Sequence, residues 1–230
     1  MTSKVVAIVS GGMDSVTMAH LLKAQGHELT ILSFSYGQRH VKELEFAARC
    51  ADRLGAAFNL VDLSSVGALL TGSALTDPTI AVPDGHYEAP NMRITVVPNR
   101  NAIMLSIAYG VAVAQGAGEV ATAVHSGDHH IYPDCRPGFI AAFDAMQRLA
   151  VEGFGDIRLS TPFVNMTKAE IVVLGSLLGV PFVDTWSCYK GGDEHCGKCG
   201  TCVERREAFQ IAGEAFQIAG ITDPTSYTSR

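Results

Sequence analysis

Apolar residues arrive in short unbroken runs separated by stretches of helical spacing. Val5–Ser10 (VVAIVS) is a continuous apolar run, the pattern of a parallel strand covered on both faces. Over Asp14–Gln25, Val16, Ala19, Leu21 and Leu22 recur at helical spacing, and Gly26 closes the helix. Leu29–Phe34 predicts a second strand. Val41–Leu54 predicts a helix with Leu44, Ala47, Ala48 and Ala51 on one face and Gly55 as its stop. Ala57–Leu63 predicts a third strand. This alternation means a parallel sheet with right-handed crossovers. Residues 71–92 break the rhythm with three prolines and two glycines, which reads either as an active-site lid or as a variable loop. Asn101–Ala117 is apolar nearly all round, a helix buried on several sides. Glu119–His125 predicts the fourth strand, Phe139–Val151 an amphipathic helix, and Ile157–Leu159 with Thr161–Val164 a fifth strand. Thr167–Leu178 follows as a helix with Thr167 or Asn165 as its cap, and Glu204 onward is helical. The expected class is α/β, a doubly wound parallel sheet.

Composition narrows the function classes. The chain has 230 residues, 47% of them hydrophobic and 17% charged, too apolar for intrinsic disorder. No apolar run reaches the ~18 residues that span a bilayer, and Met1–Ser10 is too short for a signal peptide. A cytoplasmic protein with no membrane partner is expected. Lys plus Arg is 17 against 23 Asp plus Glu, a net charge of -6, which argues against a polynucleotide partner. Four of the six cysteines lie between Cys188 and Cys202. Clustering of this kind reads as a metal site. The chain divides accordingly into a nucleotide-binding α/β domain, 1–186, and a zinc-binding helical segment, 187–230.

Two motifs carry chemistry. Ser10-Gly11-Gly12-Met13-Asp14-Ser15 stands between the first strand and the first helix. Its glycines let the backbone N–H groups converge, the helix dipole adds positive potential, and two hydroxyls are at hand, which together make an anion cradle. It lacks the Gly-Lys-Ser/Thr of the Walker loop. It resembles the SGGxDS signature of pyrophosphatase-loop ATPases. The stretch expected to bind nucleotide is Val9, Ser10, Gly11, Gly12, Met13, Asp14, Ser15, Val16, Thr17, Met18 and Ala19. The second motif is Cys188-x7-Cys196-x2-Cys199-x2-Cys202. Four thiolates suit a closed tetrahedral zinc site, with iron–sulfur as the competing metal. His195 would be a fifth ligand and is read as a neighbour.

These motifs, with Tyr36-Gly37-Gln38-Arg39-His40, Val97-Pro98-Asn99-Arg100-Asn101, Tyr132-Pro133-Asp134-Cys135-Arg136 and Thr161-Pro162-Phe163, resemble the QueC family of 7-cyano-7-deazaguanine synthases along nearly the whole chain. The resemblance implies an adenine-nucleotide α-hydrolase-like fold. It also implies an ATP-dependent carbon–nitrogen ligation in queuosine precursor biosynthesis. In that reaction 7-carboxy-7-deazaguanine and ammonia become a nitrile through adenylated intermediates, with AMP and pyrophosphate released. Structural zinc, and magnesium with the ATP, would accompany it. Asp14, Ser15, Lys168 and Arg100 are the catalytic candidates. A carboxylate can accept both donors of a guanine-like edge, so Asp128 and Asp134 are substrate candidates, with Arg136 as a further cation. His129 and His130 could touch substrate but read more simply as solvated, Cys135 as a small buried residue, and Trp186 as packing or purine stacking. A tRNA-modifying pyrophosphatase-loop enzyme is the competing enzyme, and a zinc-ribbon binding module the non-enzymatic alternative.

One feature stands outside the motifs. EAFQIAG occurs at Glu207–Gly213 and again at Glu214–Gly220. Seven residues advance about 20° short of two turns, so Phe209 and Phe216 are expected on one face of a lengthened helix. The strip could serve a homodimer or pack on its own domain.

Overall fold

A computed structural model of the chain describes residues 3–215 and 221–228. Five strands form one parallel sheet in the order β3-β2-β1-β4-β5: β1 Lys4–Ile8, β2 Glu28–Ser35, β3 Ala57–Asp62, β4 Glu119–Ala121 and β5 Arg158–Ser160. The helices are α1 Met13–Ala24, α2 Glu43–Leu54, the short α3 Ser64–Gly67, α4 Arg100–Gln115, α5 Pro137–Ala150, α6 Lys168–Leu177 and α7 Gly200–Ala215. Successive strand residues serve opposite faces. Val5 and Ala7 enter a core with residues of α1, α2, α6 and α7, while Val6 enters one with residues of α4 and α5. Burial on both faces is why the inner strands read as unbroken apolar runs. The edge strand β3 is largely exposed.

Local signals set the helix ends. Gly55 closes α2 at φ 59°, and Thr167 caps α6 through a box in which Glu170 returns the hydrogen bond. Of the two cap candidates, Thr167 is the cap.

Several boundaries differ from the sequence expectation. The fourth strand ends at Ala121, not His125: after one further ladder bond, from Thr122 N–H to the Ser160 carbonyl, the chain leaves the sheet. The fifth strand is confined to Arg158–Ser160, because Pro162 has no N–H to extend the ladder. The last helix begins at Gly200, inside the cysteine cluster, and runs through Gly213 to Ala215. Its Ala208, Phe209 and Ala212 join the core containing α1. Phe216 and most of the second EAFQIAG copy lie outside the described residues. Residues 71–92 are irregular yet packed, with Ala74, Leu75, Val82, Tyr87 and Met92 buried and Asp84 bridged to Cys199.

Candidate active site and metal centre

The sheet order reverses between β1 and β4, and the crevice outside the carboxyl ends of such strands is where ligands bind in open α/β sheets. A cavity of about 220 Å³ opens there, bounded by the ends of β1 and β2 and by residues 122–125 after β4. The phosphate loop forms one wall. Gly11 sits at φ +94°, and a Cβ on it would lie 2.1 Å from the Glu43 carbonyl oxygen, so only glycine fits. The Gly11 carbonyl accepts from Trp186 N–H at 2.9 Å, which ties the loop to the segment entering the cysteine cluster. Ser10 Oγ accepts from Gly12 N–H, and Ser15 Oγ accepts from Ser10 N–H, both at 3.2 Å. Gly12, the N-cap of α1, offers no side-chain cap, so the first-turn N–H groups of the helix stay open toward an anion.

Opposite the loop, Lys168 Nζ lies 2.7 Å from Glu204 Oε2 and 3.1 Å from Asp14 Oδ2. Burial alone would lower the lysine, but the two carboxylates hold it well above its ordinary value. Burial raises Asp14 as well, yet Lys168 and His125 more than offset this and keep it ionised, below the usual carboxylate range. For Glu204 burial wins and the carboxyl is raised. Asp14 Oδ1 is buried with no hydrogen-bond partner. His125 Nδ1 accepts from Gly127 N–H at 3.1 Å, which leaves Nε2–H facing Asp128 Oδ1 at 3.5 Å and Asp14 Oδ2 at 3.8 Å. Arg100 donates to Tyr36 Oη at 3.0 Å and lies over that ring at 5.6 Å, with no carboxylate within 4.0 Å among the described residues.

Beyond the cavity, the sulfurs of Cys188, Cys196, Cys199 and Cys202 all lie within 4.8 Å of one another. That spacing and donor set can hold one metal ion, and four thiolates leave no open coordination position. Cys196 Sγ accepts N–H groups from Lys198 and Cys199 at 3.4 and 3.3 Å, an arrangement that orients the thiolate. His195 Nε2 instead accepts from Ser187 N–H at 3.0 Å, as a neighbour of the centre rather than a ligand.

Comparison with known proteins bears directly on this pairing of a phosphate loop with a cysteine cluster. The family model described as "Queuosine biosynthesis protein QueC" matches residues 4–213. The chain belongs to the QueC family. It is 60% identical over 225 residues to the 7-cyano-7-deazaguanine synthases of Brucella ovis and of a Ruegeria species, covering 97% of this chain and 93% of each relative. Among solved structures, the U34-tRNA thiolase NcsA from Methanococcus maripaludis aligns at a TM-score of 0.49 and 14% identity, over 98% of this chain and 78% of that one, a likeness too distant to speak for activity. A QueC chain is an enzyme, as the names of its relatives state. Among the described residues no helix is long and apolar enough to cross a membrane.

The QueC cavity gathers most of the residues singled out in the sequence. Val9, Ser10, Gly12, Met13, Asp14, Ser15, Arg100, Asp128 and Lys168 line it. Val16, Thr17, Met18 and Ala19 are buried in α1 behind the loop. Asp134 is turned away: its Oδ2 accepts from Asn101 N–H at 3.1 Å, at the start of α4. Arg136 is exposed and donates to the His129 carbonyl. Cys135 lines the cavity beside Asn101, whose Nδ2 donates to its Sγ at 3.2 Å, and burial pushes its thiol well up. Trp186 both lines the cavity and packs on His195 at 4.2 Å. Sequence reasoning missed Glu204, His125, His40 and Glu43. Of these, Glu43 carried a signal, as a charge at the head of a helix that follows a strand, whereas Glu204 stands among Val203, Arg205 and Arg206 with nothing to set it apart.

Proposed function

We propose that the chain converts 7-carboxy-7-deazaguanine and ammonia to 7-cyano-7-deazaguanine, consuming two ATP and releasing two AMP and two pyrophosphates. The observation that carries this reading is the meeting, in one cavity, of an open anion cradle and a buried lysine held between two carboxylates. A carboxylate is a poor electrophile because its leaving group would be oxide. Attack of its oxygen on the α-phosphorus of ATP breaks the bond to pyrophosphate and gives an acyl-adenylate. Ammonia adds to the carbonyl carbon, AMP leaves with the C–O bond electrons, a proton is lost, and the amide remains. The amide oxygen then attacks a second ATP in the same way. Loss of AMP and the remaining N–H protons forms the nitrile.

This chain's part is positioning and charge neutralisation. The N–H groups at the start of α1, with Ser10 and Ser15, would hold the departing pyrophosphate. Lys168 would offset charge at the reacting phosphate, and Arg100, with no carboxylate within 4.0 Å among the described residues, would hold the substrate's carboxylate. The unpartnered Asp14 Oδ1 fits a magnesium ion, which supplies charge neutralisation on the nucleotide phosphates when bound. The four cysteines fit zinc in a structural role. Mass spectrometry of the product from ATP, ammonium and the carboxy-deazaguanine tests the reading. The nitrile with two AMP per turnover is expected, and release of ADP and phosphate would refute it.

A further inference from the structure

Three carboxyl side chains line the cavity: Asp14, Glu43 and Asp128. Two are committed. Asp14 Oδ2 pairs with Lys168, and Asp128 accepts Tyr87 Oη–H on Oδ1 at 2.9 Å and His125 N–H on Oδ2 at 3.1 Å. Glu43 is different. It is 9% exposed, and no lysine or arginine lies within 4.0 Å of it among the described residues. Its Oε1 accepts from Gln38 Nε2 at 3.2 Å and faces His40 Nε2 at 3.4 Å. His40 brings no charge, because burial lowers it to about 3. Oε2 has no partner among the described residues, yet it is not one of the fully enclosed unpartnered atoms, so it opens on the cavity.

A buried carboxyl with no cation in contact is costly, and here burial, only partly offset by the Gln38 hydrogen bond and the more distant Arg100, pushes Glu43 up to about 8. The surroundings nevertheless hold it in one orientation. Gln38 Oε1 accepts from Tyr36 N–H at 2.8 Å and its Nε2 also donates to the Phe34 carbonyl at 3.0 Å, which fixes the amide that presents Nε2 to Glu43. Two N–H donors arriving together would favour the charged carboxylate.

Resting on the function proposed above, we infer that Glu43 reads the deazaguanine ring, its two oxygens accepting the ring N1–H and the 2-amino group, with Gln38 as its positioning residue. The donor pattern favours this ligand over the adenine of ATP. A guanine-type edge offers two adjacent donors, whereas adenine offers one donor and one acceptor, which an ionised carboxylate cannot both satisfy. The bland alternative is that Glu43, in the first turn of α2, only complements the helix dipole.

Steady-state kinetics with 7-carboxy-7-deazaguanine and its analogue lacking the 2-amino group separate these. The wild type is expected to prefer the amino compound by about 10–100-fold in kcat/KM, the range for one hydrogen bond to a charged group. In Glu43→Gln the KM for the amino compound should rise about 100-fold and the preference collapse to within about 3-fold, while the KM for ATP stays within about 2-fold. Glu43→Asp should keep part of the preference. Equal use of the two compounds by the wild type overturns the inference without any variant, so it stands tested even if Glu43→Gln fails to fold. A preference that survives in Glu43→Gln, or a loss that falls on the KM for ATP, overturns it too. Absence of nitrile from the wild type would instead remove the functional reading, and this inference with it.

Discussion

Replacing Lys168 by methionine tests the charge arrangement opposite the phosphate loop. The lysine side chain is 12% exposed and its partners Glu204 and Asp14 are 14% and 21% exposed, so screening by water is limited. Breaking a buried ion pair costs about 3–5 kcal/mol, because an uncompensated charge is left behind. Two features bring the figure to the lower end. Glu204 is already raised by burial and can take up a proton once the lysine is gone, and Asp14 keeps His125 at 3.8 Å. A loss of about 3 kcal/mol in a chain of this size is a fall of about 6–12 °C in Tm. In Lys168→Met with Glu204→Gln one unpaired carboxyl is removed, and the double variant should recover about 1–2 kcal/mol of the loss. Thermal unfolding of the wild type, both singles and the double at pH 7.5 gives the cycle, and AMP release should fall about 10²–10³-fold in both Lys168 variants. A fall in Tm under about 2 °C in Lys168→Met, with AMP release intact, would show a solvated pair with no part in the chemistry.

The Glu43–His40 pair gives a pH signature. Glu43 is raised from 4.5 to about 8, so the folded state binds more protons than the unfolded one in that window and stability falls as pH rises through it. His40 is lowered from 6.5 to about 3, so its contribution is lost as pH falls through that range. Glu43→Gln should therefore gain stability on wild type as pH rises from 5 to 8 and gain no more above 8; a constant difference across Tm measurements would contradict the assignment. Cys199→Ser should lower bound zinc below one per chain and reduce Tm, since structural metal contributes folding free energy directly; full zinc content with unchanged melting would count against the site, and an iron–sulfur absorbance band would replace zinc. Deleting Glu214–Gly220 should leave nitrile synthesis intact, because none of the residues assigned to the chemistry lies in that segment; a folded, metal-loaded deletion variant without activity would refute this. Gly213→Ala should stabilise by up to about 1 kcal/mol in thermal unfolding, because Gly213 is within α7 and, among the described residues, its Cβ would meet only the Ile221 carbonyl oxygen at 3.4 Å.

The fold was legible wherever one physical signal dominated. β1 and β2 are buried on both faces, and their apolar runs say so. Gly55 and the Thr167–Glu170 box announce their helix ends because each end needs that chemistry and little else supplies it. The misjudged boundaries share a cause. Residues 122–125 carry a strand-like pattern, but they leave the ladder where the cavity begins, and periodicity registers burial rather than pairing. Gly200 reads as a turn between cysteines, yet it opens α7, and Arg205, fully buried, fastens that helix to Thr185, Ser187 and Asp223. Those bonds join positions as far apart in the chain as 20 residues, and no local pattern contains them.

The site divides the same way. The phosphate loop and the cysteines are contiguous, so their spacing alone carries the geometry: converging N–H groups in one case and four sulfurs within 4.8 Å in the other. The groups around the loop come from separate elements. Lys168 opens α6, Glu204 lies in α7, Arg100 opens α4, and Glu43 opens α2. Three of the four stand at a helix start because the cavity lies at the carboxyl end of the sheet, where each strand gives way to the helix that follows. A charged residue just after a strand and at the head of an apolar helix is therefore the pattern to search for. Lys168 met it and was found; Arg100, also found, opens the apolar α4 but follows the long irregular stretch after β3 rather than a strand. Glu43 met it too, but Lys42 and Glu45 give that stretch a charged composition, and nothing in the sequence singles Glu43 out from them. Asp134 fitted the strand-end position but points at the backbone of α4, where its carboxylate holds the N–H of Asn101. Position along the chain selects the residues near a site of this architecture. Which of them faces the ligand depends on whether the backbone has already claimed the side chain, and that is settled only by the packed structure.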